Sequence, residues 1–380
     1  MVPMAAPAIC SLGLIADDLT GANDTAVQFA RRGWKTLLTL DGHGGPGAAA
    51  EPVDRSVLAM TTDARALEND AAERLTASAA VRLMEAGVDR IYLKIDSTMR
   101  GSVPGQIAGA LAAWQSRHPN ASAVVCPAYP RMGRTVVGNR LLVNGRPVEQ
   151  SAISRDPVSP VSTSDLAALI PGSTHARPGQ PVHQASVVAT VDASSDEDLA
   201  SLAAAIADAG PAVIPVGSAG LAEAMATVWS VGMPPATPLV HPGGIGHFPH
   251  PRVLIQVTSL NPVSRAQVER LAEVFPEVVV LLAPAERVGN SSVAEQLAGA
   301  FADRVAQETW DVLGLVGGDG ARAALRRLDA SAIRIVDAML EGIPLGFVVG
   351  GRADGMPIFT KAGGFGAEDA LVRVVERIKA

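Results

Sequence analysis

Cysteine is almost missing from this sequence, with Cys10 and Cys126 the two examples among 380 residues. Both lie in apolar runs, where a thiol packs as a small hydrophobic group. Two isolated cysteines provide neither a zinc-binding spacing nor a disulfide framework, which favours a reducing compartment. The amino terminus has no Lys or Arg before its first apolar run, and no uncharged run is long enough to span a bilayer. We therefore expect a cytoplasmic protein without a membrane partner.

Aromatic residues are scarce as well, at 3% of the chain, and the formal net charge is −7. A surface that binds nucleic acid usually combines a basic stripe with aromatic rings that stack on bases. The sequence shows no such stripe, so nucleic acid is not an expected partner. Any anionic ligand must instead be held by a few individually placed cations.

Hydrophobic residues are abundant, at 48%, and they form short apolar runs that alternate with segments of helical periodicity. This alternation indicates an α/β fold. The length exceeds that of one comfortable core, so we expect two domains, each a mostly parallel sheet with helices on both faces. A stretch rich in Pro and Gly at 231–251 predicts a linker between a domain at 1–230 and a second domain at 252–380.

Polar clusters follow three apolar runs of the first domain, where the predicted strands end. Asp17 and Asp18 follow SLGLIA, Arg65 follows SVLAMTT, and Lys94 and Asp96 close IYLKID. Ligands bind outside the carboxyl ends of strands in open α/β sheets, so these side chains are predicted to face a ligand. The hydroxyls and backbone amides of DSTMRGS, just before a predicted helix, suit an anion. The alternative is structural, with aspartates that cap a helix and an ion pair between Lys94 and Asp96.

Two glycine-rich turns mark the second domain, VGGDG at 316–320 and KAGGFG at 361–366, each between a predicted strand and a predicted helix. Ser259 lies at the tip of another predicted strand. Backbone amides of such turns can face a phosphate at a helix start. Neither turn matches GxGxxG or GxxxxGK[ST], so each is a weak motif by itself. Together they favour a site for the phosphates and sugar of a nucleotide.

These motifs together resemble the four-carbon acid sugar kinase family, formerly a domain of unknown function. The resemblance covers nearly the whole chain. It rests on ADDLTGAND at 16–24, TDARAL at 62–67, KIDSTMRG at 94–101, CPAYPRMGRTVVGNRLLVNG at 126–145, VGSAGLAEA at 216–224, SLNPVSRAQ at 259–267, GGDG at 317–320 and KAGGFGAED at 361–369. The KIDST form looks more like the threonate and erythronate kinases than the oxo-tetronate kinases.

The resemblance implies an amino-terminal acid-sugar domain and a carboxyl-terminal ATP domain, with the active site in the cleft between them. Family members phosphorylate the terminal hydroxyl of four-carbon sugar acids such as threonate and erythronate. The implied cofactors are ATP and Mg²⁺, and a homodimer is expected. The residues assigned to the substrate are Asp17, Asp18, Arg65, Lys94, Ile95, Asp96 and Ser97. The residues assigned to ATP are Ser259, Gly317, Gly318, Asp319, Gly320, Gly363 and Gly364.

Phosphoryl transfer needs positioning, charge neutralisation and a group that orients the attacking hydroxyl. Arg65 and Lys94 are predicted to hold the substrate carboxylate, with Arg better suited to a bidentate grip. Asp17 or Asp96 would orient and partly deprotonate the hydroxyl, and the sequence leaves the choice between these two catalytic candidates open.

The chain departs from the family pattern in its second domain, where GGDG stands in place of the usual GGETS. Asp319 keeps an acid, but two hydroxyls are lost, which predicts weaker contacts with phosphate or Mg²⁺. Asp18 or Asp24 would help to hold Mg²⁺. A non-catalytic sugar-acid sensor is therefore the alternative function, and it predicts ligand binding without ADP release. A nicotinamide-dependent dehydrogenase is disfavoured because no GxGxxG follows an early strand.

Overall fold

The computed structural model describes residues 11–40, 55–156, 158–176, 187–232, 248, 250–284 and 292–380. Cys10 and most of the predicted linker lie outside these residues. The strands are β1 (Ser11–Ala16), β2 (Lys35–Thr39), β3 (Ser56–Thr61), β4 (Arg90–Lys94), β5 (Ser122–Cys126), β6 (Arg134–Val137), β7 (Arg140–Val143), β8 (Arg146–Pro147), β9 (Thr174–Ala176), β10 (Val188–Val191), β11 (Val213–Gly217), β12 (Val253–Val257), β13 (Val279–Leu282), β14 (Val312–Val316), β15 (Ala332–Leu340), β16 (Ile343–Val349) and β17 (Pro357–Lys361). The helices are α1 (Leu19–Ala30), α2 (Asn69–Glu85), α3 (Val103–Trp114), α4 (Leu166–Leu169), α5 (Asp196–Ala209), α6 (Ala219–Trp229), α7 (Pro262–Val274), α8 (Ser292–Gln307), α9 (Gly318–Arg327) and α10 (Ala370–Lys379).

The chain forms two compact units, of which the first comprises Met1–Trp34 and Ala49–Pro235. Its main sheet has the strand order β3-β1-β4-β11-β5-β10-β9, and every neighbouring pair is parallel. All six residues of β1 are buried, as expected for a central strand covered on both faces. The predicted α/β architecture with a parallel sheet is confirmed here.

A small antiparallel sheet, β6-β7-β8, belongs to the same unit. Asn144 and Gly145 join β7 to β8 with φ of 50° and 75°. Positive φ at both central residues defines a type I′ turn, whose twist matches that of the flanking strands. The Asn-Gly pair in the sequence favours this turn type, and the sheet places Arg134 near the strand ends described below.

The second unit comprises Lys35–Ala48 and Ala236–Ala380. Its sheet has the order β13-β12-β14-β17-β16-β15-β2, in which the first four strands are parallel and the remaining pairs antiparallel. Strand β2 pairs with β15, about three hundred residues later in the chain, so that Thr36 lies opposite Ile335. The apolar pattern of WKTLLTL predicts the strand but carries no information about its distant partner. The domain boundaries at 230 and 252 stay a prediction.

No helix in the described ranges is long and apolar enough to cross a membrane.

Candidate active site

The polar clusters of the first unit lie together because β3, β1 and β4 are adjacent and parallel. In register, Ala16 at the end of β1 lies between Thr61 of β3 and Lys94 of β4. The carboxyl ends of the three strands therefore meet at one edge of the sheet. Asp17 and Arg65 follow these strand ends directly, as the sequence pattern predicts.

Arg65 connects the carboxylates of this edge. Its Nε donates to Asp17 Oδ2 at 2.9 Å and its Nη2 donates to Asp17 Oδ1 at 2.8 Å, which is a bidentate pair. The same Nη2 donates to Asp18 Oδ1 at 2.8 Å and lies 3.7 Å from Asp96 Oδ2. One guanidinium thus bonds two carboxylates and lies close to a third.

Asp17 and Asp18 differ in their second role, which separates the capping and ligand interpretations of the sequence. Asp18 caps α1, since its Oδ1 accepts from the backbone N–H of Gly21 at 2.9 Å. Asp17 makes no cap, and both its oxygens accept from Arg65 in a site with no exposed surface (0%). Capping therefore explains one of the two aspartates only.

Asp96 belongs to a second ion-pair group with Arg100. Arg100 donates to its two oxygens at 3.2 and 2.8 Å and reaches Asp156 at 3.0 Å. The backbone N–H of Thr98 donates to Asp96 Oδ1 at 2.9 Å, and the Thr98 hydroxyl donates to the same oxygen. Both carboxylate oxygens of Asp96 therefore already accept hydrogen bonds.

The pKa values of the two candidate bases move in opposite directions. Burial raises the pKa of Asp17, helped by the charge of Asp18, and the opposing effect of Arg65 is smaller. Burial also acts to raise the pKa of Asp96, but Arg100 and then Arg65 outweigh it and hold that pKa well below its usual range. A carboxylate with a low pKa is a weak proton acceptor. Proton affinity alone makes Asp17 the better acceptor, whereas both of its oxygens already accept from Arg65, so the choice between the two acids stays open.

Lys94 differs from Arg65 and Arg100 in its contacts. It is 5% exposed, and its ammonium makes no hydrogen bond or salt bridge with any residue that the structure describes. A Cβ built on Gly21 would lie 2.8 Å from Lys94 Nζ, so the glycine leaves room for the ammonium beside the first turn of α1. Free N–H groups at a helix start also favour negative charge.

Two further residues of the sequence prediction have different surroundings. Ile95 is buried, and its backbone N–H donates to the carbonyl of Gly217 at 2.9 Å, so this residue offers a ligand no polar side chain. Ser97 is half-buried at the start of the following turn. Met99, at φ 63°, has a left-handed backbone that a bulky side chain rarely adopts. Such strain is common at functional sites.

Three residues near this edge were not among the predicted site residues, namely Arg100, Arg134 and Asp156. Burial lowers the pKa of Arg134, on β6. Asp96 and Arg100 lie close enough for their charges to affect this pKa as well. Its Nε is buried without a hydrogen-bond partner among the described residues. Arg100 and Arg134 occur in KIDSTMRG and PRMGRTVVG, so the signal was present, but the motif did not show which cation reaches which acid.

The second unit brings the predicted glycine turns to Ser259. A Cβ built on Gly317 would lie 3.0 Å from the backbone N of Ser259, and one on Gly363 would clash with its side chain. Gly317 also has φ of 106°, which other residues rarely adopt, and its N–H donates to the carbonyl of Lys361 at 3.0 Å. The three segments therefore lie close together, and α9 begins at this point.

The remaining predicted residues lie around this group. Gly318 and Asp319 open α9, with Asp319 exposed in its first turn. Gly320 is buried against Thr258, where a larger residue would clash. Gly364 is exposed beside Asn261. The weaker contacts with phosphate or Mg²⁺ that the loss of two hydroxyls in GGDG predicts stay a prediction.

Two family models match the chain, one in its amino-terminal part and one in its carboxyl-terminal part. A family model described as "Sugar-binding N-terminal domain" matches residues 12–225, and one described as "Nucleotide-binding C-terminal domain" matches residues 282–371. Among curated relatives, a D-threonate kinase of Bordetella bronchiseptica is 38% identical, with 97% of each chain covered. A D-erythronate kinase of Heliobacterium modesticaldum is 28% identical, with 96% of each chain covered.

Solved structures are similar as well. A Bordetella bronchiseptica protein, crystallised as a domain-swapped dimer with bound citrate, is 37% identical with a TM-score of 0.53, and the match covers 97% of this chain and 98% of that one. A Haemophilus influenzae protein is 19% identical with a TM-score of 0.72, covering 96% of this chain and all of that one, and it shows the fold alone.

Proposed function

The chain belongs to the four-carbon acid sugar kinase family, and from this membership we propose that it transfers the terminal phosphoryl group of ATP to the terminal hydroxyl of D-threonate or D-erythronate. The observation that carries the proposal is the buried ammonium of Lys94, which has no hydrogen-bond or salt-bridge partner in the described part of the chain. A desolvated cation is stabilised when a carboxylate arrives. D-threonate is the first candidate because the 38% identical relative is a D-threonate kinase.

The acceptor would be held and activated by the first unit. Lys94 binds the substrate carboxylate, and Arg65, whose side chain is 20% exposed, supports it while keeping Asp17 and Asp18 neutralised. Asp17 accepts the proton of the attacking hydroxyl, since its pKa is raised. Asp96 keeps Arg100 in place and is the second candidate for the base.

The donor would be held by the glycine turns of the second unit. Backbone N–H groups of the turns near Ser259 and Gly363 would face phosphate oxygens, and the missing Cβ at Gly363 lets the Ser259 side chain approach the turn. ATP with Mg²⁺ supplies the phosphoryl group and neutralises its charge. No group of three or more His, Cys, Asp or Glu side chains arranged to hold a metal ion is found among the described residues. Mg²⁺ would therefore come with the nucleotide, as it often does, and the assistance of Asp18 or Asp24 stays a prediction.

The test is ADP release with Mg·ATP against D- and L-threonate, D- and L-erythronate and their 3-oxo forms, with a control lacking any acid. Turnover on one acid is expected, and it would identify the substrate as well. Silence with every acid, together with a thermal shift caused by an acid but none by ATP, would instead support the sugar-acid sensor. A homodimer, which the domain-swapped Bordetella relative favours, stays a prediction for this chain.

The lowered pKa of Lys361 predicts that the KM for ATP depends on pH. Its side chain is 1% exposed and donates to the carbonyls of Ala362 and Gly363 at 2.8 and 3.4 Å, and burial lowers its pKa to about 8. Below that pH the positive charge favours bound phosphate, and above it the charge is lost. We expect the KM for ATP to rise between pH 7 and pH 9 by several-fold, on the order of one missing charge interaction.

The matched control is Lys361→Met, which carries no charge at any pH. Its KM for ATP should be high and nearly constant over the same range. Steady-state kinetics at saturating sugar acid measure both enzymes. If the KM for ATP changed with pH in the same way in the wild type and in Lys361→Met, the proposed role of Lys361 would be contradicted.

A further inference from the structure

A buried glutamine, Gln267, forms hydrogen bonds with the backbone of the KAGGFG turn and the residue after it. The Nε2 of Gln267, on α7, donates to the carbonyls of Phe365, Gly366 and Ala367 at 3.0, 3.2 and 2.8 Å. Its side chain is fully buried (0%). Three backbone carbonyls are thus turned towards the same side-chain amide.

The neighbouring carbonyls of this turn are held in the same way. The hydroxyl of Ser264, one turn earlier on α7, donates to the carbonyl of Gly363 at 2.6 Å. Lys361 donates to the carbonyl of Ala362 at 2.8 Å and to that of Gly363 at 3.4 Å. Five carbonyls between residues 362 and 367 are therefore fixed by buried side chains.

The orientation of these carbonyls decides the orientation of the amides. In a planar trans peptide, the C=O of one residue and the N–H of the next point in opposite directions, and the described chain contains no cis peptide. The amides turned away from these buried side chains are those of Gly363, Gly364, Gly366, Ala367 and Glu368. None of them donates a hydrogen bond to any residue within the described ranges. A row of outward N–H groups is a typical anion site.

Gln267 keeps one polar atom without a partner. Its Oε1 is buried and has no hydrogen-bond partner among the residues described, and α7 packs its neighbour Val268 into the apolar core of the second unit. An unsatisfied buried amide oxygen costs stability, so the amide is held at this position by the three bonds that its Nε2 donates to the turn. The other turn is held similarly, since Gln256, also buried, donates to the carbonyl of Gly320 at 2.8 Å.

We propose that Gln267 is the positioning residue of the phosphate-binding turn: it keeps the carbonyls of residues 365–367 inward so that the amides face the phosphates of the nucleotide. Ser264 does the same for Gly363. This inference rests on the proposed function, because it takes ATP as the ligand of the turn. Gln267 itself touches no phosphate.

The test compares wild type with Gln267→Leu, which keeps the volume and removes the donor. We expect the KM for Mg·ATP to rise by about tenfold or more, as three hydrogen bonds are lost, while the KM for the sugar acid changes by less than about twofold. Val268→Ala is the control, since it loosens the same helix without touching the turn. It should lower the thermal midpoint and leave both KM values unchanged.

Calorimetric titration with Mg·ATP and no acid separates this inference from the proposed function. Wild-type binding that is weakened at least tenfold in Gln267→Leu supports the inference even without turnover on any acid. Wild-type turnover with an unchanged ATP affinity in Gln267→Leu overturns the inference and leaves the kinase intact. If Gln267→Leu does not fold, Ser264→Ala replaces it; an unchanged KM for ATP in that variant would equally overturn the inference.

Discussion

Lys94→Met is expected to lower kcat/KM for the sugar acid by about 100- to 1,000-fold, because it removes the charged partner of a buried carboxylate. The side chain keeps its length and apolar stem, so the packing beside Gly21 is retained. The loss should appear mainly in the KM for the acid, with the KM for ATP nearly unchanged. Steady-state kinetics with each substrate varied in turn measure this difference.

The same substitution should change the stability of the fold little. A buried ammonium without a hydrogen bond is unfavourable in the free protein, but its charge also acts to lower the pKa values of Asp17 and Asp96 and so stabilises their carboxylates. The two effects oppose each other, so the thermal midpoint is expected to stay close to that of the wild type while activity is lost. Lys35→Met, at an exposed position on β2, is the matched control and should change neither quantity. A Lys94→Met enzyme with wild-type kcat/KM would refute the carboxylate assignment.

Arg65→Met is expected to destabilise the first unit by about 3–5 kcal/mol, since it leaves the buried carboxylate of Asp17 without its partner. Asp17 is fully buried and receives both of its side-chain hydrogen bonds from Arg65. Asp18 and Asp96 lose a neighbouring positive charge at the same time. Activity should fall to background as well. Urea unfolding measures the difference in the free energy of unfolding.

A second substitution distinguishes the lost charge pair from simple loss of packing. Asp17→Asn removes the carboxylate that Arg65→Met leaves unpaired, so the double variant should be more stable than Arg65→Met alone. The coupling energy from the double-mutant cycle is expected to be about 1–3 kcal/mol, the range for residues in direct contact. Strictly additive effects would mean that the bidentate pair contributes nothing to the fold. Activity is not expected to return, because the proposed base is also gone.

The sequence predicted the site well where the chemistry depends on strand ends. Asp17, Arg65 and Lys94 each follow a buried apolar run, and in a parallel sheet the carboxyl ends of neighbouring strands meet at one edge. This reasoning needs no knowledge of the pairing beyond the α/β pattern itself. The glycine turns of the second unit were found in the same way, since each stands between a strand and a helix.

The sequence could not predict the partners of these side chains. An ion pair between Lys94 and Asp96, two residues apart, was the structural alternative, and it is wrong. Asp96 instead forms a salt bridge with Arg100 at 2.8 Å, and Arg65 lies 3.7 Å from it. Gln267 likewise gave no signal, because its acceptors lie about a hundred residues further along the chain.

The sequence by itself thus determined the α/β class, the strand ends that carry polar residues and the family to which the chain is similar. These features depend on local periodicity and on short motifs, which adjacent residues encode. Only the tertiary structure decided that β2 pairs with β15, that Arg65 joins Asp17, and that the Lys94 ammonium has no hydrogen bond or salt bridge within the described part of the chain. Such pairings join residues that are far apart in the chain, and each depends on how closely the folded backbone brings two charges or donors together.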